Sequence, residues 1–275
     1  MKTIVITGGT DGIGRYLADH YAERGDRVVV IGRNIEKGKA FQDSAGGRGV
    51  FLQADLALLA ENRAVIATLL ADYPVIDTLV LCARFYRSYR AETVEGIEST
   101  FAHFYLSRYL FSHELRPALE RAGKPVIVNV AGPGADLSIV QWRDLQFSGH
   151  YSGGAALGQG GKLNDLLGVS FAEQYPDGRT RYVLVHPGVT ATSQAGDYDP
   201  GTELMVERMR TSAKPIPLAA DPIIELVDDP PTALLSAFIE GHRIPIEGSP
   251  FDPAAARQLD ELTRRLLTVR NLMPD

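Results

Sequence analysis

The chain alternates short apolar runs with amphipathic stretches along most of its length. Six runs are nearly continuous in valine, isoleucine and leucine, which is typical of strands buried on both faces of a parallel sheet. They predict strands at 3–7, 27–31, 50–54, 77–81, 125–130 and 181–186. The stretches between them have helical periodicity and predict helices at 12–24, 35–44, 57–73, 97–121, 162–175 and 253–268.

Strands that alternate with helices indicate a doubly wound α/β fold, in which a parallel sheet carries helices on both faces. Each crossover between parallel strands is expected to be right-handed. The alternation breaks at 193–231, where proline-containing turns separate short helical pieces. We interpret this segment as an excursion over the carboxyl ends of the strands. Residues 1–275 are therefore expected to form a single domain.

Composition and charge narrow the range of functions. The 275 residues are 45% hydrophobic and 23% charged, with a net charge of −6 and no long basic block, which argues against a nucleic-acid partner. Cys82 is the single cysteine in the sequence, so a reducing compartment is expected. No apolar run reaches the length of a membrane span, and the first apolar run is too short for a signal peptide. These features predict a cytoplasmic protein without a membrane association.

A glycine-rich turn follows the first predicted strand and opens the first predicted helix. In "IVITGGTDGIGRYLADHY", Gly8, Gly12 and Gly14 allow a tight turn and a close approach of the backbone to a pyrophosphate group. The free amides at the start of the helix favour the phosphate charge. The same turn contains Thr10, Asp11 and Ile13, so the whole segment predicts a dinucleotide site.

The end of the second strand indicates which dinucleotide binds. Folds that bind NAD place an acidic residue there, on the ribose 2′-hydroxyl. This chain reads "VVVIGRN" instead, with Arg33 and Asn34 and no carboxylate. A guanidinium matches a phosphate group, so NADP(H) is favoured over NAD(H), although a solvated surface arginine is the alternative. Asp55 and Leu56 follow the third strand, where the Asp55 side chain is expected near the adenine amino group.

The spacing G-x-x-x-G-x-G, together with "QADL", "VNV" and "HPGVTAT", resembles the short-chain dehydrogenase/reductase family over residues 2–190. The segment "RDLQ…GKLNDLL" is similar to the retinol-dehydrogenase-like branch of the family. Some polyketide ketoreductases of the daunorubicin type also resemble this sequence. The resemblance implies a Rossmann fold of about seven strands, NAD(P) binding and hydride transfer between carbonyls and alcohols. It also implies cofactor contacts from Cys82, Ala83, Pro187, Gly188, Val189 and Thr192.

The family's proton-transfer residues are mostly missing from the matching positions. The resemblance places Lys162 at the lysine position, where it would hold the nicotinamide ribose. The tyrosine position four residues earlier is Gly158, the serine position is Gly132 and the asparagine position is Ser99. An alternative alignment makes Tyr151 the catalytic tyrosine. Five of the eleven residues at 151–161 are glycine, which would empty the centre of the active site.

A replacement proton donor is expected at the carboxyl ends of the strands, where ligands bind in open α/β sheets. The loop "CARFYRSYR" after the fourth strand contains Tyr86, and we consider it a catalytic candidate beside Lys162 and Tyr151. A solvated basic loop is the competing interpretation. His103 is expected to be packed on a helix, and His186 to be structural. No group of His, Cys, Asp and Glu has metal-ligand spacing.

Three functions remain open at this point. The first is an NADP(H)-dependent oxidoreductase that acts on a small apolar carbonyl or alcohol through a non-standard active site. The second is a non-redox enzyme on the same scaffold, such as a cyclase or isomerase, and the third is a non-catalytic partner subunit. A homodimer is also expected, through helices 97–121 and 162–175 and the apolar face formed by Leu163, Leu166, Leu167 and Phe171.

Overall fold

The computed structural model of the protein describes residues 1–269. The apolar runs form one large sheet of eight strands: β1 Thr3–Thr7, β2 Arg27–Gly32, β3 Gly49–Gln53, β4 Thr78–Leu81, β6 Val126–Val130, β7 Arg181–His186, β9 Leu235–Ile239 and β10 His242–Ile244. A separate two-stranded sheet pairs β5 Tyr86–Arg87 with β8 Gly196–Asp197.

The strand order in the large sheet is β10-β9-β7-β6-β4-β1-β2-β3. Seven strands run parallel, and β10 pairs antiparallel with β9 at the edge. This confirms the predicted α/β Rossmann-type fold, with one strand more than the expected seven. The order reverses next to β1, because the chain builds outward from β1 in both directions. The carboxyl ends of β1 and β4 therefore border the crevice in which such folds bind ligands.

Helices cover both faces of the large sheet. Their bounds are α1 Gly12–Glu23, α2 Ile35–Ser44, α3 Leu59–Asp72, α4 Ser99–Phe101, α5 Ser107–Glu114, α6 Arg116–Leu119, α7 Gly153–Gln174, α8 Pro200–Thr211, α9 Ile216–Asp228 and α10 Pro253–Val269. Side chains of β1 alternate between two buried clusters: Val5 packs with residues of α3, α5, α7 and α10, whereas Ile4 and Ile6 pack with residues of α1, α2 and α9.

Helix α7 begins at Gly153, well before the predicted start at 162. The glycines of 151–161 therefore lie inside a helix, with the Ser152 side chain accepting a hydrogen bond from the amide of Ala155 at its start. Gly153 has a steric reason to be glycine, because a Cβ there would lie 2.1 Å from the backbone oxygen of Arg87. Packing against the sheet and α10 outweighs the low helix propensity of glycine here.

Helix α10 covers the face of α7 that was expected to form a dimer contact. Leu163, Leu166, Leu167 and Phe171 are at most 2% exposed and belong to the core shared with α10. These four residues are therefore not a surface, and the prediction that they mediate pairing is wrong for a steric reason. A homodimer through another surface stays a prediction.

Two further predicted segments differ from the structure. The expected helix at 97–121 is divided into α4, a π-helical segment Ala102–Leu106, α5 and α6. The expected excursion at 193–231 contains β8, α8 and α9, and α9 packs on the sheet through Ile223 and Val227. The part of 193–231 that passes over the strand ends is thus the part before α9.

Candidate active site

A cavity of about 1020 Å³ lies at the carboxyl ends of the parallel strands. Its wall is built by the segments that follow β1, β2, β4, β6 and β7, together with one face of α7 and Met209 of α8. We call the end beside Gly8–Gly14 the loop end, and the end beside Gly132 and Gly158 the vacated end. Most of the predicted cofactor residues line the cavity: Gly8, Thr10, Asp11, Gly12, Ile13, Gly14, Arg33, Asn34, Leu56, Cys82, Ala83, Pro187, Gly188, Val189 and Thr192.

The glycines at the loop end are required by the backbone geometry. Gly8 and Gly12 have φ angles of 69° and 54°, in the region that side chains other than glycine rarely adopt. A Cβ on Gly14 would lie 2.4 Å from the backbone oxygen of Gly8, which is closer than any relaxed contact. The Asp11 side chain accepts a hydrogen bond from the amide of Gly12 and caps α1. The turn is thus shaped to bring the start of α1 against a ligand.

Two cations border the loop end where β2 ends. The guanidinium of Arg33 lies 4.6 Å from the centre of the Phe85 ring, and its Nη1 is 3.9 Å from Oδ2 of Asp55. Lys37 forms an ion pair with Asp11. Burial tends to raise the pKa of Asp11, but the contact with Lys37 together with hydrogen bonds from Ser193 and the amide of Gly12 outweighs burial and lowers the pKa. Arg33 is 43% exposed at its side chain, so it is available to a phosphate group.

Asn34 and Asp55 have local structural roles. The side chain of Asn34 accepts a hydrogen bond from the amide of Lys37 and caps α2. Asp55 accepts a hydrogen bond from the amide of Ala57 and does not line the cavity, so its contact with the adenine amino group stays a prediction. Cys82 does line the cavity, and burial raises the pKa of its thiol to about 12, which keeps it protonated.

One face of α7 borders the vacated end through Gly154, Leu157, Gly158 and Gly161. A Cβ on Gly158 would have no heavy atom of the described residues within 4 Å. The cavity therefore has open space beside the predicted tyrosine position. Both Gly154–Gly158 and Leu157–Gly161 are pairs spaced by four residues that face the cavity together, as a tyrosine and lysine pair would have to.

The Lys162 side chain is directed into the core and does not reach the cavity, which corrects its predicted role. Its side chain is 0% exposed, and its Nζ lies 2.8 Å from Oδ2 of Asp165 and donates to the backbone oxygen of Pro250. It does not line the cavity. Lys162 follows Gly158 by about one helical turn, so its partners in the core, and not the helical position alone, keep the ammonium group away from the cavity. Lys162 fastens the segment before α10 to α7 and does not hold a nicotinamide ribose.

The two tyrosine candidates also lie outside the cavity wall. The hydroxyl of Tyr151 is 3.1 Å from Oγ1 of Thr100 and 3.4 Å from the backbone oxygen of Arg87. Tyr86 stacks on Tyr198 with 5.4 Å between ring centres. Burial raises the pKa of Tyr151 to about 12. Both side chains are used to hold the β5 loop in place, and the structure does not bring either of them to the vacated end.

Arg84, from the predicted candidate loop "CARFYRSYR", lines the cavity, together with two histidines that were not predicted as site residues, His103 and His186. His103 lies in the π-helical segment, is 6% exposed, and neither ring nitrogen has a hydrogen-bond partner among the described residues. Burial lowers the pKa of His103 to about 3. π-helical turns are frequent at functional sites, but the sequence gives no direct signal for one. His186 could have been found, because it ends a parallel strand at the ligand-binding edge.

A buried arginine fixes the strand ends behind this wall. Arg108 donates from Nη2 to the backbone oxygen of Ala83 at 2.8 Å and from Nη1 to that of Val130 at 2.9 Å. It therefore joins the carboxyl ends of β4 and β6 from the core side. A guanidinium with several fixed donors is suited to this role, and it makes the cavity floor rigid.

Comparisons with known proteins give the family. Residues 2–143 match a family model described as short chain dehydrogenase. The chain is 28% identical over 192 residues to retinol dehydrogenase 11 of Homo sapiens, covering 68% of this chain and 60% of that protein. It is 31% identical over 196 residues to a Streptomyces sp. (strain C5) protein named as a daunorubicin C-13 ketoreductase, covering 70% of this chain and 67% of that protein.

A solved structure titled as NADPH-bound carbonyl reductase from chicken fatty liver superimposes with a TM-score of 0.66 and 14% identity, over 89% of this chain and 98% of that one. At this identity it supports the fold. The chain spans less than two thirds of the human retinol dehydrogenase, so that protein's activity is not carried over here. Among the described residues, no helix is long and apolar enough to cross a membrane. Because the family model covers more than half of the sequence, this protein belongs to the short chain dehydrogenase family.

Proposed function

We propose that the protein is an NADP(H)-dependent oxidoreductase that interconverts a small apolar carbonyl compound and its alcohol through a non-standard active site. The observation that carries the proposal is the loop end of the cavity, where Gly8, Gly12 and Gly14 have the geometry of a pyrophosphate turn and Arg33 and Lys37 border it. When bound, the nicotinamide supplies or accepts the hydride. The relatives named as a dehydrogenase and a ketoreductase support the same reaction class.

The residues of the cavity fit such a cofactor. The start of α1 and the turn before it would hold the pyrophosphate, because helix amides and the dipole favour anions there. Arg33 and Lys37 would hold the 2′-phosphate, since a guanidinium suits phosphate oxygens. Pro187, Gly188, Val189 and Thr192 follow β7 and line the cavity, and they would contact the nicotinamide half. Lys162 is not in this set, because it is buried against Asp165.

The vacated end supports an apolar substrate skeleton. Phe104, Val130 and Leu157 line it together with Ala131 and Ala135, and the glycine face of α7 leaves room beside them. Burial of apolar surface would contribute about 25 cal/mol for each Å² removed from water. The protein would thus bind the substrate skeleton through its shape and through apolar contacts, at the place where related enzymes have a tyrosine.

A non-redox reaction is the second candidate. It is favoured by the lack of a tyrosine or serine side chain at Gly132 and Gly158, since a general acid is worth about 10²–10⁴ in rate for carbonyl reduction. A cyclase or isomerase would use the cavity as a template for a reactive conformer, with the cofactor as a fixed part of the wall. A non-catalytic partner subunit is the third candidate, and complete inactivity with normal NADPH binding would favour it.

The cofactor part of the proposal is tested by calorimetric titration of NADPH and NADH. Arg33→Ala should weaken NADPH binding by about 1.5–3 kcal/mol, which is the scale of a hydrogen bond to a charged group, and should leave NADH binding nearly unchanged. Lys39→Ala is the matched control, because Lys39 is an exposed cation on α2 that does not line the cavity. Equal losses for both cofactors would refute the NADP(H) preference.

The redox part is tested by following NADPH consumption with a panel of apolar ketones and aldehydes, and NADPH formation with the matching alcohols. Turnover of any member above the rate without protein supports an oxidoreductase. A protein that binds NADPH tightly and leaves it unchanged with every member, while it converts a compound without net oxidation, is instead a non-redox enzyme.

A further inference from the structure

His186 presents a fixed hydrogen-bond donor to the vacated end. It ends β7, and its Nδ1 accepts a hydrogen bond from the amide of Gly188 at 3.0 Å. In a neutral imidazole with Nδ1 as acceptor, the proton lies on Nε2. Burial lowers the pKa of His186, and Lys214 and Arg84 act in the same direction against Glu240. The ring is therefore neutral near pH 7, with an assigned Nε2–H tautomer.

The ring of His186 lies beside the missing serine. A Cβ on Gly132 would be 3.0 Å from Cδ2 of His186 and 3.9 Å from its Nε2. Gly132 has a φ angle of 105°, so a larger residue there would be strained as well as crowded. The imidazole thus takes the space where the related enzymes have a hydroxyl, and it supplies a donor of its own.

Arg84 brings a positive charge to the same wall. It follows β4 and lines the cavity, and in residues 1–269 we find no hydrogen bond or ion pair for its guanidinium. Arg84 is exposed, and its side chain is open to the cavity, while neighbouring protein atoms lower its pKa through partial desolvation. An arginine stays charged in proteins regardless. An exposed guanidinium on a cavity wall without a protein partner keeps its donors free for an anionic ligand.

Carboxylates of the chain do not neutralise this charge. Within the described residues, Asp11 is the one carboxyl group on the cavity wall, and it is paired with Lys37 at the loop end. His103 is a second unsatisfied group on the cavity wall, since both of its ring nitrogens lack partners among the described residues although it is 6% exposed. Buried polar groups without partners are unfavourable, which is a second indication that a polar ligand group belongs here.

We propose that Arg84 and His186 form a binding site for a carboxylate of the substrate, so that the substrate is an apolar carbonyl or alcohol that carries a carboxylic acid. Arg84 supplies the charge and the paired donors that suit a carboxylate, and Nε2–H of His186 supplies one further donor. A carboxylate is the better match than a phosphate dianion, because the described wall offers one free cation at this end. The reaction on that substrate rests on the proposed oxidoreductase function, whereas the binding site does not.

The test uses 3-phenylpropionate as the probe and its uncharged amide, 3-phenylpropionamide, as the control ligand. Binding to the full chain without cofactor is measured by calorimetry, and the His186 ring nitrogens are observed by NMR. We expect the acid to bind about tenfold or more tightly than the amide, because hydrogen bonds to charged groups are the stronger class. The acid should also shift the Nε2 resonance of His186. Equal affinity for acid and amide would overturn the proposal.

Variants identify the residues. Arg84→Gln should lower the affinity for the acid about tenfold or more and leave the amide unchanged, and His186→Phe should cause a smaller loss. Arg90→Gln is the matched control, since Arg90 is on the same loop and bonds to Glu92 instead of lining the cavity. If Arg84→Gln fails to fold, Arg84→Lys keeps the charge but loses the paired donors, and it should show an intermediate affinity. Unchanged binding of the acid by a folded Arg84 variant would refute the site.

A phosphate of the cofactor is the other source of an anion, and repeating the titration with saturating NADPH separates the two. If the acid still binds and Arg84→Gln leaves NADPH affinity unchanged, the site belongs to the substrate. If NADPH excludes the acid and Arg84→Gln weakens NADPH, the anion is the cofactor's and the proposal is wrong. If the acid binds beside NADPH but no oxo acid is reduced, the carboxylate site stands and the oxidoreductase function fails.

Discussion

The two ends of the cavity both rely on glycine, but for opposite physical reasons. At the loop end, Gly14 is glycine because a Cβ would lie 2.4 Å from the oxygen of Gly8. At the vacated end, Gly158 meets nothing within 4 Å among the described residues, so geometry does not require a glycine there. The loop end is constrained by the backbone itself, whereas the vacated end is open beside Gly158 and constrained at Gly132, whose φ angle is 105°. The cofactor turn and the proton-donating group are thus separable parts of the scaffold.

The same contrast holds for charge. Lys37 and Asp11 neutralise each other at the loop end, and Arg33 has Asp55 nearby. Elsewhere on the cavity wall, Arg84 and His103 lack partners in the described part of the chain. The charged groups at the loop end have partners within the chain, whereas Arg84 and His103 have none among residues 1–269. Unpaired polar groups on a cavity wall indicate where a polar ligand group binds. The predictions below test this division, from the largest expected effect to the smallest.

The largest effect is expected for Lys162→Met, which tests whether Lys162 belongs to the scaffold or to the vacated end. Removing one member of a buried ion pair leaves Asp165 uncompensated, so the free energy of unfolding should fall by about 3–5 kcal/mol. The double variant Lys162→Met with Asp165→Leu should recover most of the loss. Urea unfolding measures both. A Lys162 variant that keeps its stability but loses NADPH binding would restore the role expected from the sequence.

The next effect concerns acid pH and the unpartnered imidazole of His103. Burial lowers its pKa to about 3, from an ordinary value of 6.5. Below about pH 6.5 the His103 side chain is protonated in the unfolded chain but stays neutral in the folded chain. The free energy of unfolding therefore decreases as the pH falls from about 6.5 toward 3. Between pH 7 and 5 this amounts to about 2 kcal/mol.

His103→Gln should remove that part of the pH dependence. The difference in free energy of unfolding between the two proteins isolates His103, because His113 also has a pKa lowered by burial and is present in both. Denaturant unfolding at several pH values makes the measurement. If the free energies of unfolding of the two proteins change with pH in parallel, burial does not lower the pKa of His103.

A pair of matched substitutions should have opposite signs at the two ends. Gly14→Ala should destabilise the fold by about 1–3 kcal/mol through the clash with Gly8, and it should impair NADPH binding. Gly158→Ala should stabilise it by up to about 1 kcal/mol, since alanine is the better helix former and finds open space. Thermal unfolding and calorimetry give both values. Loss of stability in Gly158→Ala would mean that the vacated end is filled.

The strands and the phosphate turn were predictable because their signals are local. Runs such as "TIVIT" and the spacing of Gly8, Gly12 and Gly14 need no knowledge of distant residues. The start of α7 was not predictable, since its glycines have low helix propensity and become helical through packing. Strand β9, Leu235–Ile239, was also missed, because a five-residue run among turns is weak by itself.

The alignment gave the place of Lys162 on α7 but not the direction of its side chain. A long side chain one turn after Gly158 can turn toward the cavity or toward the core, depending on which partners it finds. The partners that fix the Lys162 side chain are Asp165 and Pro250, and Pro250 lies far along the chain. The dimer face was misjudged for the same reason, because α10 covers it from the other end of the sequence. The lack of a partner for Arg84 was likewise not predictable, because it depends on every residue that lines the cavity, and these residues are distant in the sequence.

The smallest effect is expected for Tyr151→Phe, which decides between the two alignments of the catalytic tyrosine. The Tyr151 hydroxyl contacts Thr100 and the backbone oxygen of Arg87 and does not line the cavity, so its loss should cost about 0.5–1.5 kcal/mol of stability and leave turnover unchanged. Tyr89→Phe, on an exposed side chain of the loop after β4, controls for removal of a hydroxyl at the surface. A folded Tyr151→Phe protein that binds NADPH but no longer reduces a carbonyl that the parent reduces would make Tyr151 the proton donor. In that case the segment before α7 that carries Tyr151 would have to move toward the cavity when ligands bind, and the vacated end would be open in the free protein alone.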